Sequence, residues 1–175
     1  MPGAAERLRR AARPGTATRA VGTAHGRAHT RRLTFTHREG RHQLLGVLRH
    51  DDHKLQLALL SPQGQRLLTL VQDAEGTRFR PGAAFEPPFT AEWLANRLAW
   101  SLWPSAALEQ AFGDSGWTLR EDVEGRLVEY RGRPMARITG SPECRIIDDI
   151  EGGYRLQIAT LGADTDRTDA ACPTD

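Results

Sequence analysis

The sequence predicts a mainly β (α+β) domain: a curved antiparallel sheet, or unclosed half-barrel, of about ten strands wrapped around an inserted Trp/Leu-rich helical hairpin. Three observations predict it. Apolar residues alternate with period two through both halves of the chain, Gly- and Pro-containing connections separate the alternating segments, and a segment of helical period interrupts them midway. At 175 residues the chain has the length of one domain, long enough to bury a real core.

The first strands are expected at residues 33–38 and 42–50, with Gly40 punctuating the turn. The clearest alternation follows: Leu55, Leu57 and Leu59 point one way while Lys54, Gln56 and Ala58 point the other, as a half-buried strand requires. Ser61-Pro62-Gln63-Gly64 turns the chain into a strand over 66–72, where Leu68 and Leu70 alternate with Leu67, Thr69 and Val71. Gly76 then turns into a short strand over 77–80, after which Pro81, Gly82, Pro87 and Pro88 oppose regular structure.

Thr90 is placed as the N-cap of a helix that Pro104 must end, with Leu94, Leu98 and Leu102 on one stripe at i, i+4, i+8. Trp93, Trp100 and Trp103 flank that stripe and leave Asn96, Arg97 and Ser101 as the polar minority, so the helix is expected to be surrounded. Ser105 is read as the cap of a second short helix ending at Gly113. Strands resume at 117–121, 126–131, 134–139, 143–150 and 154–161; in the last, Tyr154, Leu156 and Ile158 oppose Arg155, Gln157 and Ala159. The short glycine-containing connections between them fit a meander.

The domain is expected to span residues 32–161, between a basic leader (1–31) and an acidic tail (162–175), both read as disordered for want of apolar period. The net charge of +2 conceals eight arginines against the single acid Glu6 in residues 1–32, with the remainder net acidic. Lys54 is the only lysine, a bias that GC-rich coding explains, so no nucleic-acid partner is expected. Cys144 and Cys172 cannot build a metal framework, and with Cys172 in the tail a structural disulfide is not expected. No apolar run reaches the length of a membrane span or a secretory signal core.

Chemistry-bearing motifs are sparse. His50-Asp51-Asp52-His53 is the one metal-capable cluster, and between alternating strands it reads as a two-residue hairpin turn flanked by a His pair, so no metal is expected. Asp148 and Asp149 occupy adjacent strand positions, face opposite ways and read as a solvated edge. There is no nucleophile elbow, phosphate-binding loop or His-Glu-x-x-His helix. Neither catalytic residues nor a cofactor are expected.

The Trp/Leu helix carries the functional content. It either fills a core or lines an apolar cavity with the Leu-rich strand faces. The candidate ligand-binding residues are Leu57, Leu59, Leu68, Leu70, Trp93, Leu94, Leu98, Trp100, Trp103, Leu156 and Ile158. An acyl chain held there gains about 0.8 kcal/mol per buried methylene without any specific polar contact.

Residues 45–48 (Leu-Gly-Val-Leu), 61–70 (Ser-Pro-Gln-Gly-Gln-Arg-Leu-Leu-Thr-Leu), 98–108 (Leu-Ala-Trp-Ser-Leu-Trp-Pro-Ser-Ala-Ala-Leu) and 153–156 (Gly-Tyr-Arg-Leu) resemble the bacterial domain of unknown function 3261. The resemblance runs from about Leu33 to Leu161 and implies a small envelope protein, often lipoprotein-like, with a half-barrel similar to the LolA/LolB lipoprotein carriers and receptors. It also implies proximity to fatty-acyl or aryl-polyene synthesis, and it carries over no catalytic residue. Such proteins usually begin with an export signal ending in a lipid-modified cysteine, whereas here no cysteine precedes Cys144, and the leader reads as translated sequence from a misplaced start.

The resulting expectation is a non-catalytic, monomeric protein of the periplasm or outer membrane, binding an acyl chain or lipid-like ligand and meeting envelope protein partners. It would be cytoplasmic if the start is real. The competing expectations are an assembly protein with a filled core, an accessory enzyme acting on acyl thioesters, and a nucleic-acid binder using the leader.

Overall fold

Every alternating segment forms a strand. The structure, a computed structural model, describes residues 28–51, 53–82, 89–161 and Cys172. In chain order the elements are β1 (His29–His37), β2 (Gly40–His50), β3 (Leu55–Leu60), β4 (Arg66–Asp73), β5 (Gly76–Pro81), α1 (Ala91–Leu102), α2 (Ser105–Phe112), β6 (Trp117–Asp122), β7 (Gly125–Tyr130), β8 (Arg133–Gly140), β9 (Cys144–Asp149) and β10 (Tyr154–Thr160). The ten strands make one antiparallel sheet in the order β5-β4-β3-β2-β1-β10-β9-β8-β7-β6. Two five-stranded meanders thus meet at β1 and β10, in a register that pairs Leu33 with Ile158 and Phe35 with Leu156. Edges β5 and β6 do not pair with each other, and the α1–α2 hairpin connects them.

One face of the sheet is mostly apolar. Leu33 and Phe35, Leu44 and Leu48, Leu57 and Leu59, Leu68 and Leu70, Val128, Ile138, Ile147, Leu156 and Ile158 join Leu94, Leu98 and Trp100 of α1 in a single buried cluster. Ten flat strands would be about 43 Å across, while a helix with its side chains is about 10–12 Å thick. A single cluster drawn from eight of the strands therefore requires the sheet to bend around α1. Gly46 permits a close approach: a Cβ there would overlap Leu33 Cδ1 and lie 3.2 Å from Leu57 Cδ1, so leucines of both neighbouring strands meet over a missing side chain.

Several local expectations are corrected. β1 begins at His29, so residues 29–31 belong to the sheet rather than to the leader, because they pair with β2 from His29↔Leu48 onward. Residues 1–27 of the leader and, apart from Cys172, the tail lie outside the described residues. Leu67 is buried beside Leu68 instead of alternating with it, since the register shifts by a bulge at Leu59/Leu60. The 50–53 segment does turn the chain, but as a longer connection. Asp51 Oδ1 accepts from the N–H groups of His53 and Lys54 (both 2.8 Å), and His50 pairs with Leu55, so the two histidines are not cross-strand partners.

The cysteines are the largest correction. Cys144 and Cys172 form a disulfide with a Cα–Cα distance of 5.3 Å. Composition could not reveal it, because the proximity comes from β9 starting at Cys144, paired with Ala159 close to where β10 releases the chain.

Candidate functional site

Helix α1 starts where its cap predicts: Thr90 Oγ1 accepts from the Trp93 N–H at 3.1 Å. It lays its leucine stripe on the apolar face. Leu57, Leu59, Leu68, Leu70, Leu94, Leu98, Trp100, Leu156 and Ile158 are each at most 4% exposed, and Trp93 and Trp103 pack half-buried against the same cluster. All eleven candidate residues are thus brought together, with the side chains of α1 seated among the strand leucines.

Two of the three polar residues of the helix are buried as well. Arg97 is 8% and Ser101 3% exposed, because the sheet wraps the faces that a single-sided helix would leave wet. Arg97 finds its partner in Asp149, which is buried rather than part of a solvated edge. Asp149 Oδ2 accepts from Arg97 Nε at 2.7 Å, from Arg97 Nη2, and from the Trp93 indole N–H at 3.0 Å. Its Oδ1 accepts from the Gly152 N–H at 2.6 Å. The Arg97 guanidinium lies 5.0 Å from the Trp93 ring and 4.5 Å from the Trp100 ring, a cation between two indoles. Burial pushes its pKa down, and the charge and hydrogen bonds of Asp149 oppose that fall. This latch ties α1 to the end of β9. Asp148, on the other face, pairs with Arg155 at 2.7 Å, so the two acids do point apart as their spacing predicts.

A second latch holds the far end of α1, which has no basic residue in its last turn. Arg126 of β7 supplies the missing charge: its Nη1 donates to the carbonyls of Trp100 (2.9 Å) and Trp103 (2.6 Å). Its Nε donates to Glu121 at 2.7 Å. The Ser105 hydroxyl, and then Arg126, hold the Glu121 carboxyl below the usual carboxylate range. Ser105 therefore serves β6 rather than capping α2, whose N-cap is Pro104.

Aromatic rings gather at both ends of α1. Phe35, Phe89 and Trp93 stack in sequence at one end, with centroid separations of 4.7 and 5.8 Å, and Tyr154 tilts against Trp93 at 5.5 Å. At the other end Trp117 contacts Trp100 (5.4 Å), Phe112 (6.2 Å) and Tyr130 (5.0 Å). Between and around them, four buried polar atoms of this stretch have no hydrogen-bond partner among the described residues: Asn96 Oδ1, Trp100 Nε1, Ser101 Oγ and Trp103 Nε1.

The same strand order and central Leu-Trp-Pro helix are what the family model for "Protein of unknown function (DUF3261)" covers, matching residues 28–162. The chain belongs to the DUF3261 family. No curated protein matches it. The family boundary at residue 28 agrees with β1 of this DUF3261 chain, which opens at His29. Among its described residues no group of three metal-capable side chains gathers, and no helix is long and apolar enough to cross a membrane.

Sequence reasoning missed both latches of the DUF3261 chain. Arg97 and Asp149 lie 52 residues apart, and Arg126 lies 26 residues beyond the Trp100 carbonyl it serves. The available signal was a polar residue at i+4 from Trp93 on a helix otherwise apolar nearly all round, which demands a buried counter-charge from elsewhere.

Proposed function

We propose that this chain is a non-catalytic cell-envelope protein that holds an apolar chain, such as an acyl, aryl-polyene or lipoprotein acyl group, against the inner face of its half-barrel. Helix α1 is the lid that gives way to the ligand. The observation that carries this reading is the set of four buried polar atoms without a hydrogen-bond partner among the described residues, at Asn96, Trp100 and Ser101 of α1 and at Trp103, its C-cap.

The energetics support a displaceable lid. Lifting Leu94, Leu98 and Trp100 from the sheet forfeits about 1.5–3 kcal/mol each, or about 5–9 kcal/mol together. A ten-carbon chain entering in their place returns about 8 kcal/mol, at about 0.8 per methylene. The apolar part of the exchange is near balance, and opening must in addition release the Arg97–Asp149 and Arg126 contacts of α1. Each unpaired polar atom that reaches water or a ligand oxygen relieves a further penalty of about 1–3 kcal/mol, which favours opening. The Cys144–Cys172 bond supports the location, because structural disulfides persist in oxidising compartments such as the periplasm.

Native mass spectrometry of the full chain, purified from an envelope fraction, tests the reading. The expected result is an adduct of acyl or polyene mass that is lost on delipidation and regained with decanoic or hexadecanoic acid. A chain that carries no adduct and takes up neither acid would remove the ligand-binding reading. It would leave a second one, an assembly protein with a permanently filled core, which the near-complete burial of Leu98 (1%) and Trp100 (0%) favours.

A further inference from the structure

Near the β5 edge the inner face carries a polar pair. On β4 and β5 the register sets Leu68 opposite Pro81, Leu70 opposite Phe79 and Gln72 opposite Thr77, so these residues share the face against which α1 lies. Gln72 is 2% exposed, and its Oε1 has no hydrogen-bond partner among the described residues. Thr77 Oγ1 is buried and unpartnered in the same way, so the two groups do not bond each other. The other neighbour of Gln72 in this row is Leu55, which is fully buried and whose side chain offers no polar atom.

Buried polar groups without a partner are costly, and two that face each other across a strand pair call for an occupant. Directly opposed residues hold their Cβ atoms about 5 Å apart, so one atom between the two polar ends reaches both. Gln72 Oε1 only accepts, whereas the Thr77 hydroxyl donates and accepts. The group that completes the pair therefore donates to Gln72 and accepts from Thr77, which is what a hydroxyl does. An ester or carboxylate oxygen only accepts, and leaves Gln72 unpaired. Leu55, Leu70 and Phe79 surround the pair with apolar surface, and Phe79 is 40% exposed although its register turns it inward. The inner face is thus open to solvent at the β5 edge, beside Thr77.

We propose that Gln72 and Thr77 form a head-group subsite for an apolar chain that ends in a hydroxyl, entered from the β5 edge past Phe79. The subsite rests on the reading of the inner face as a ligand surface. The chain lies along Leu70 and Leu68 where α1 gives way, and its hydroxyl donates to Gln72 Oε1 and accepts from Thr77 Oγ1. Gln72 selects the head group, and Thr77 holds any oxygen that reaches it.

The test uses the oxidised full chain and two probes, decan-1-ol and methyl decanoate, with binding followed by calorimetry. Decan-1-ol is expected to bind about tenfold more tightly, since the ester leaves a buried acceptor unpaired. Gln72→Leu should erase that preference. Thr77→Val, which keeps the shape of the side chain, should weaken both probes, because each accepts from the hydroxyl it removes. Gln56→Leu, on the outer face of the neighbouring strand β3, should leave affinity and preference as they are. Equal affinity for the two probes in the parent chain would mean that the pair serves a buried water only. That result, a preference that survives Gln72→Leu, or unchanged binding in Thr77→Val overturns the subsite and leaves the apolar-chain reading standing. Binding of neither probe by the parent chain removes both.

Discussion

Replacing Asp149 by alanine is expected to lower stability by about 3–5 kcal/mol, the largest polar effect in the molecule, because it strands a buried cation. Arg97 is 8% exposed, and the substitution removes the acceptor for its Nε and Nη2, for the Trp93 indole and for the Gly152 N–H. The reverse case separates charge burial from loss of packing. Arg97→Met combined with Asp149→Leu should recover most of the loss, since a buried ion pair and a well-packed apolar pair of similar volume are close in stability. Urea denaturation of the single and double variants checks both statements. A single-variant loss below about 1 kcal/mol, the range of an exposed ion pair, would mean that the latch is not buried as described.

Trp100→Ala carries the second large effect, about 3–5 kcal/mol, with Leu98→Ala at about 2–5 kcal/mol. Both side chains are essentially inaccessible, and the strand leucines around them cannot close the space, because the hydrogen-bonded register fixes their backbones. Truncation therefore leaves an apolar hollow under α1, and apolar hollows of that kind accept apolar guests. Decanoic acid should restore part of the stability lost in Trp100→Ala, read as a rise in its urea midpoint. An unchanged midpoint would show that the inner face does not admit a chain even when vacated.

Much of the fold was legible because one face of each strand is buried, which writes the period of two directly into segments such as Leu55-Gln56-Leu57-Ala58-Leu59. The α1 boundaries were legible for a related reason: Thr90 and Pro104 are local signals that act on the backbone beside them. What escaped were pairings that only the folded topology creates. Asp149 looks like half of a solvated acid pair until the meander carries β9 alongside α1, and Cys172 looks like a tail residue until the end of β10 is seen next to Cys144. The bulge that buries Leu67 was hidden too, since an alternating pattern in β4 is compatible with either register. The eleven apolar site residues were found by the same periodicity that finds a core, which is why the pattern alone left open whether they fill the space or line it.

Hydrogen exchange of the full chain, with and without decanoic acid, tests the central claim most directly, because it compares the opening of α1 with that of the sheet in one molecule. A lid predicts that amides of α1 exchange through an opening of lower free energy than those of β1 and β10 at the centre of the sheet. It also predicts that the acid changes protection in α1 while leaving β1 and β10 as they were. Exchange of α1 only through the same global opening as β1 and β10, with no response to the acid, would contradict the lid and leave a permanently filled half-barrel.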